Sequence, residues 1–340
     1  MMKRLLVIGA GGFIGGFIAG QGLERGYDVT VAVRESTSRR YLTDKRLKFL
    51  VLDYGDVEAI VRAMREALPE GERWDCVIHN LGATKCADFR DFDTINYRYL
   101  VNIVEALKAA GKEPERFLFM SSLSAMGPVD EKTYRPITNA DTPHPNTRYG
   151  LSKMKAEDYL RYRSGLRYII FRATGVYGPR EKDYLMMIKS IDGHIDVGMG
   201  YRKQMLTFIY VDDLVGAMFD ALAAGVADKT YIISEPKAYT QKEFRSMVSE
   251  ALGGRWVLPL KLPMWVVLAV STVAEKFAAL RGKASTLNRD KYKIMKQRNW
   301  NCDVSEAQAD FGFHADFPLE RGVRATVDAY LAAKAADKGK

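Results

Sequence analysis

At 340 residues and 38.3 kDa the chain exceeds one average domain, so one large domain or two smaller ones sharing a cleft is expected. Hydrophobic residues at 47% and charged residues at 27% exclude wholesale disorder. A formal charge of +9 suits an anionic cofactor or a membrane surface, and by itself it does not argue for nucleic acid, which is not expected as a partner.

Lys3 and Arg4 ahead of the apolar stretch Leu5 to Gly20 imitate a signal peptide, but six of those sixteen residues are glycine. The same letters read better as a buried strand, Leu5 to Ile8, running into a glycine turn and a helix from about Phe13 to Arg25. Strands follow at Asp28 to Val33 and Lys48 to Leu52, then a helix from Val57 to Leu68 and a strand from Cys76 to His79. A helix from Asn96 to Ala110, a strand from Arg116 to Met120, a helix from Tyr149 to Arg163 and a strand from Arg167 to Arg172 keep the alternation. Such alternation predicts an α/β fold, a Rossmann-type doubly wound parallel sheet covered on both faces.

Beyond Gly178 the rhythm loosens. Residues 193–200 read as loop, Thr207 to Val211 as strand, Asp212 to Ala224 as helix and Tyr231 to Ser234 as a further strand of the main sheet. The remainder is mostly helical. The expected organisation is a nucleotide-binding domain over 1–178 plus about 207–234, with a smaller substrate lobe from about 179–206 and 235–335.

Cys76, Cys86 and Cys302 have no CxxC spacing and cannot all pair, so a cytoplasmic location is expected. His79, His144, His194 and His314 lack zinc-ligand spacing; packing and loop roles are expected of them, and no metal site.

Gly9, Gly12 and Gly15 follow a strand and open a helix, the setting a dinucleotide turn demands. Tight turning, close approach to a pyrophosphate and helix–strand packing each exclude a side chain. After the second strand comes Val33-Arg34-Glu35-Ser36, with Arg39 and Arg40 close behind. An arginine there forks onto a ribose phosphate, which favours NADP, while Glu35 keeps NAD open. Asp53 is placed to accept from an adenine amino group.

The second constellation is Ser121 to Gly127 after a strand, then Tyr149-Gly150-Leu151-Ser152-Lys153 opening a helix. Tyrosine and lysine four apart share one helix face. A neighbouring ammonium is expected to lower the phenol's pKa, so that Tyr149 exchanges a proton with a carbonyl or alcohol oxygen near neutral pH.

With these motifs, His79-Asn80-Leu81-Gly82-Ala83, Asn96, Arg172 to Gly178 and Tyr210-Val211-Asp212-Asp213, the chain resembles an extended short-chain dehydrogenase/reductase of the NAD-dependent epimerase/dehydratase group. The segments 79–85 and 121–128 look most like its dihydroflavonol-reductase and 3β-hydroxysteroid-dehydrogenase branch. The resemblance implies a catalytic triad of Ser122, Tyr149 and Lys153, with Lys153 also holding the nicotinamide ribose. It implies cofactor contacts at Phe13, Ile14, Tyr54, Leu81, Gly82, Ala83, Asn96 and Val176 besides Gly9, Gly12, Gly15, Arg34 and Asp53. Thr84 and Ser124 fall on the substrate side, and a homodimer through the helices 96–110 and 149–163 is implied.

Two departures bear on substrate. Leu206 stands where nucleotide-sugar enzymes usually carry an arginine, although Arg202 and Lys203 are near in sequence. Leu123 and Ser124 follow Ser122 where 4,6-dehydratases carry an acidic pair, so dehydration is not expected. The expectation is therefore carbonyl–alcohol interconversion on a small, mostly apolar substrate, with nucleotide-sugar epimerisation as the alternative and a non-catalytic nucleotide sensor a further one. The apolar segment Met264 to Ala274 is too short to span a bilayer. It reads first as a buried helix of the lobe; a pocket wall, a dimer face and a peripheral membrane contact are the other roles open to it. The basic run Lys291, Lys293, Lys296 and Arg298 reads first as a solvated face, with contact to anionic lipid the other role open to it.

Overall fold

The computed structural model describes residues 2–281, 285 and 287–338; of the C-terminal lobe, residues 282–284 and 286 lie outside them. In chain order the elements are β1 (Arg4–Ile8), α1 (Phe13–Glu24), β2 (Asp28–Val33), β3 (Lys48–Val51), α2 (Val57–Ala67), β4 (Cys76–His79), α3 (Arg90–Asp93), α4 (Tyr99–Ala110), β5 (Arg116–Met120) and α5 (Arg148–Tyr162). Then follow β6 (Tyr168–Ala173), β7 (Gly175–Tyr177), α6 (Lys182–Asp192), β8 (Ile195–Met199), β9 (Phe208–Tyr210), α7 (Val211–Ala223), β10 (Lys229–Ile233), α8 (Gln241–Ala251), β11 (Leu258–Leu262), α9 (Met264–Leu280), α10 (Arg289–Lys296), α11 (Ser305–Phe311) and α12 (Leu319–Lys338).

Seven strands form one parallel sheet in the order β3-β2-β1-β4-β5-β6-β10. Alternate residues of β1 serve opposite faces: Leu5 and Val7 join a core with α1, α7 and α11, while Leu6 and Ile8 join one with α2, α4 and α5. Burial on both faces explains why these strands read as continuous apolar runs rather than alternating ones. Strand order reverses between β1 and β4, and the loops leaving their carboxyl ends meet there, where a parallel sheet makes its ligand crevice. A third core, with Ile188, Phe208, Phe244, Val248 and Val323, joins β9 to α6, α8 and α12 in the C-terminal lobe.

Four expectations need correction. Residues 193–200 are not all loop: β8 pairs in parallel with β11 in a separate two-stranded ribbon. The strand near 207–211 likewise leaves the main sheet and pairs with β7, whereas the predicted strand near 231–234 is its edge, β10. The apolar segment 264–274 is helical but not buried: Trp265 is 72% and Val273 68% exposed, because the sheet cores are already covered by other helices. The helix predicted from Asn96 begins at Arg90 and contains a π-turn over Thr94–Arg98, which places Asn96 in a wound-out segment.

Candidate active site

The glycine turn is shaped by three contacts. Gly9 has φ +82°, and a Cβ there would lie 2.7 Å from the Leu81 backbone N, so the β1 and β4 loops touch. A Cβ on Gly15 would come within 2.3 Å of the Gly9 carbonyl oxygen, which presses α1 against the turn. Gly12 differs, since a Cβ there meets only the Gly9 carbonyl at 3.5 Å. Gly12 caps α1 with no side-chain hydrogen bond and no acidic residue in the first turn, which leaves backbone N–H groups facing the crevice. Phe13 and Ile14 are partly buried against the first core.

Past β2, the Arg34 side chain is exposed and makes no hydrogen bond or ion pair among the described residues, while its backbone N–H donates to Thr37 Oγ1. Arg39 stacks on Phe49 and Arg40 on Tyr41. Asp53 is exposed and accepts from the Gly55 N–H at 2.9 Å. Tyr54 is turned inward: it is buried, its hydroxyl donates to the Ala32 carbonyl, and burial raises its pKa to about 12.

Asn96 is fully buried and its amide is used within the protein. It accepts from the Ala83 N–H at 2.8 Å, donates to the Ala83 carbonyl at 3.1 Å and to Ser152 Oγ at 3.0 Å. Ser152 in turn donates to the Tyr149 carbonyl at 2.7 Å. The loop 81–83 is thereby tied to the helix that carries Tyr149 and Lys153. Leu81 is half-buried and Thr84 exposed, and Val176 in β7 packs against the first core.

Lys153 is buried. Its Nζ donates to the Met120 carbonyl at 2.8 Å and lies 4.8 Å from the centre of the Phe119 ring. Removal of the ammonium from water brings its pKa down to about 7, and the carboxylate of Glu157 pulls the other way. A Cβ on Gly82 would sit 3.0 Å from that Nζ, so the glycine is what lets the loop approach the lysine.

Tyr149 is partly accessible. Its pKa stands above the ordinary value, not below it: burial of the phenol disfavours the phenolate, and the Ser122 hydroxyl alone offsets part of this. Lys153, which donates to the Met120 carbonyl, does not lower this pKa as expected. Ser122 Oγ accepts from the Ser124 N–H at 3.2 Å. The Ser124 carbonyl would be 2.2 Å from a Cβ on Gly150, so the serine turn and the tyrosine helix pack backbone to backbone.

Several positioning residues escaped sequence reading. Asp290 of α10 accepts from the N–H groups of Arg148 and Tyr149, beside the Thr147 hydroxyl that caps α5. Fully buried Glu157 accepts from Ser121, Arg161 and Arg172. The Lys153–Glu157–Arg161 row at i, i+4 spacing was a visible signal for the second of these. His79 is buried with neither ring nitrogen bonded among the described residues, and burial, then Lys153, brings its pKa down to about 3. Among the described residues no His, Cys, Asp and Glu cluster could hold a metal.

The chain is 25% identical over 349 residues to a UDP-glucose 4-epimerase of Vibrio cholerae, covering 98% of this chain and 97% of that one. It is 25% identical over 274 residues to 3beta-hydroxysteroid-dehydrogenase/decarboxylase isoform 1 of Arabidopsis thaliana, covering 73% of this chain and 60% of that one. A solved UDP-glucose 4-epimerase from Thermotoga maritima, with UDP-glucose, superimposes with a TM-score of 0.79 at 21% identity over 98% of this chain and all 100% of that one. A family model matches residues 5–234, the stretch from β1 through the end of β10. The chain belongs to the NAD dependent epimerase/dehydratase family.

Proposed function

We propose that the protein is an NADP-preferring oxidoreductase that interconverts a carbonyl and an alcohol on a small, mostly apolar substrate. The observation that carries the reading is the glycine turn packed as a dinucleotide needs, with Gly82 closing on the buried Lys153 and the Ser122 hydroxyl beside the Tyr149 phenol. The residues present fit that cofactor. Uncapped N–H groups at the start of α1 suit a pyrophosphate, Gly82 leaves room beside Lys153 for a ribose, and the unengaged Arg34 suits a ribose phosphate.

The nicotinamide, when bound, supplies or takes up a hydride. In the reducing direction Tyr149 gives its proton to the substrate oxygen as the C–O double bond becomes single. In the oxidising direction it takes that proton back. Ser122 holds the same oxygen by a hydrogen bond, and Lys153 fixes the ribose. Loss of that phenol, Tyr149→Phe, is expected to lower turnover by about two to four decades with cofactor affinity nearly unchanged. Near-normal turnover of the variant in an NADPH-consumption assay with ketones would remove the assignment.

Nucleotide-sugar epimerisation is the second reading, favoured by the full-length likeness to the Vibrio epimerase. Against it, Leu206 packs in the third core and its backbone pairs with Tyr239, so no guanidinium projects from that position. Net consumption of NADPH with ketones, set against isomerisation of UDP-sugars without net redox change, separates the two. We expect a homodimer through α4 and α5, which sedimentation velocity tests.

A further inference from the structure

The C-terminal lobe turns its apolar faces outward. In the ribbon, Leu258 pairs with Ile195, Leu260 with Val197 and Leu262 with Met199, so six apolar side chains share one face. Five of them are exposed, at 36–51%. The opposite face holds Asp196, bound to Arg245, and Gly198 against Gln241. In β8 the polar and glycine positions are inside and the apolar ones outside, the reverse of a half-buried strand, while β11 is exposed on both faces.

Helix α9 follows the ribbon after Pro263 and repeats the inversion. Its buried positions include Val267 and Ser271, whereas Trp265, Leu268, Val273 and Phe277 are exposed at i, i+3, i+8 and i+12, one continuous stripe. The two surfaces meet: a cavity of about 810 Å³ is lined by Met199 and Gly200 of the ribbon side and by Pro263, Met264 and Trp265. Trp256, 69% exposed and stacked on His194, flanks the ribbon. An apolar surface of this extent on a polar protein marks a docking site.

Charge identifies the occupant. Residues 255–298 contain ten lysines and arginines against Glu275 and Asp290, a net +8 of the chain's +9. Arg202, Lys203, Lys261, Lys276, Arg281 and Lys296 make no ion pair among the described residues. Lys276 stands in the apolar stripe itself, and the core of a protein–protein interface is depleted in lysine. Tryptophans beside aliphatic residues and unpaired lysines are the composition of a membrane interface. At 17 residues α9 is about 25 Å long, and no described helix is long and apolar enough to cross a membrane.

We infer that the exposed face of α9 and the β8–β11 ribbon dock the protein on the surface of an anionic phospholipid bilayer, α9 lying in the interface plane. Lys276 and Arg281 extend to the headgroups while Val273 and Phe277 enter the acyl boundary. The inference does not rest on the proposed chemistry.

The test is co-sedimentation of the full chain with vesicles of phosphatidylcholine containing about a third phosphatidylglycerol, against phosphatidylcholine alone. Binding to the anionic vesicles, a blue shift of tryptophan emission from Trp256 and Trp265, and weakening by salt are expected. Val273→Glu with Phe277→Glu is expected to lower partitioning at least about tenfold while melting temperature and NADPH affinity stay unchanged. Absence of binding to the anionic vesicles overturns the inference, as does equal partitioning by the double variant. A wild-type dimer that this variant turns into monomers, with no vesicle binding by either, assigns the face to a second copy and overturns it equally.

Discussion

Asp290, in the lobe, fixes Tyr149 through its backbone: the carboxylate accepts from the N–H of Tyr149 at 3.3 Å and of Arg148 at 2.8 Å. The first turn of α5 thus takes its anionic cap from a residue 141 positions away. Asp290→Ala removes the acceptor and frees the helix start to shift. Such a cap contributes about 1–2 kcal/mol, so kcat is expected to fall roughly tenfold, with KM for NADPH little changed. Asp290→Asn keeps one acceptor oxygen and should recover most of the loss. A purely structural role would lower the melting temperature of both variants and leave kcat where it was.

Lys153 is kept at an energetic cost. Unfolded, its ammonium titrates near 10.5, and folded at about 7, so between those pH values the unfolded chain binds more protons and stability rises with pH. Below about 7 both states are protonated and the burial penalty, on the order of a few kcal/mol, is present in full. Lys153→Met should therefore raise the urea midpoint most at pH near 6, with the gain fading toward pH 10, while turnover is lost. Denaturant titrations at the two pH values check this, and a variant less stable than wild type at the acid end contradicts it.

Two glycines of α1 should respond in opposite ways to alanine. A Cβ on Gly15 collides with the Gly9 carbonyl oxygen at 2.3 Å, and both partners are backbone, so nothing can yield without opening the turn. A Cβ on Gly20 finds nothing within 4 Å among the described residues. Gly15→Ala is expected to destabilise the fold and lose nucleotide binding together. Gly20→Ala should stabilise by about 0.5–1 kcal/mol through the smaller entropy of the unfolded chain. Thermal melts of the pair, with and without NADPH, read both effects.

The sequence was legible where chemistry is local. The glycine turn, the Tyr149–Lys153 spacing and the alternation of strands and helices each lie within about one supersecondary unit, and the family scaffold followed from them. What stayed hidden depends on distant segments. The ribbon joins residues near 197 and 260, and β8 with its glycine and aspartate does not read as a strand until β11 lies beside it. Asp290 meets Tyr149 only through the tertiary fold. For α9 the reason differs, since apolar composition does not by itself mean burial and the sheet has no uncovered face left for it. The Tyr149 pKa rises rather than falls for a related reason, because sequence spacing shows that two groups are neighbours and not that the phenol is buried.

The proposed preference for NADP turns on Arg34. Its guanidinium is exposed beyond β2 and unpaired among the described residues, whereas Arg39 and Arg40 are stacked on Phe49 and Tyr41. Charge-assisted hydrogen bonds to a phosphate contribute about 1.5–3 kcal/mol, so Arg34→Ser should weaken NADPH binding by roughly ten- to a hundredfold. NADH affinity should stay within about twofold, because an unphosphorylated ribose gives the guanidinium no charge to meet. Glu35→Ala provides the reciprocal control: a carboxylate that held a ribose hydroxyl would make this variant lose NADH instead. Fluorescence titration of both reduced nucleotides against the three proteins measures the ratio, and a preference unmoved by Arg34→Ser assigns the phosphate to some other residue.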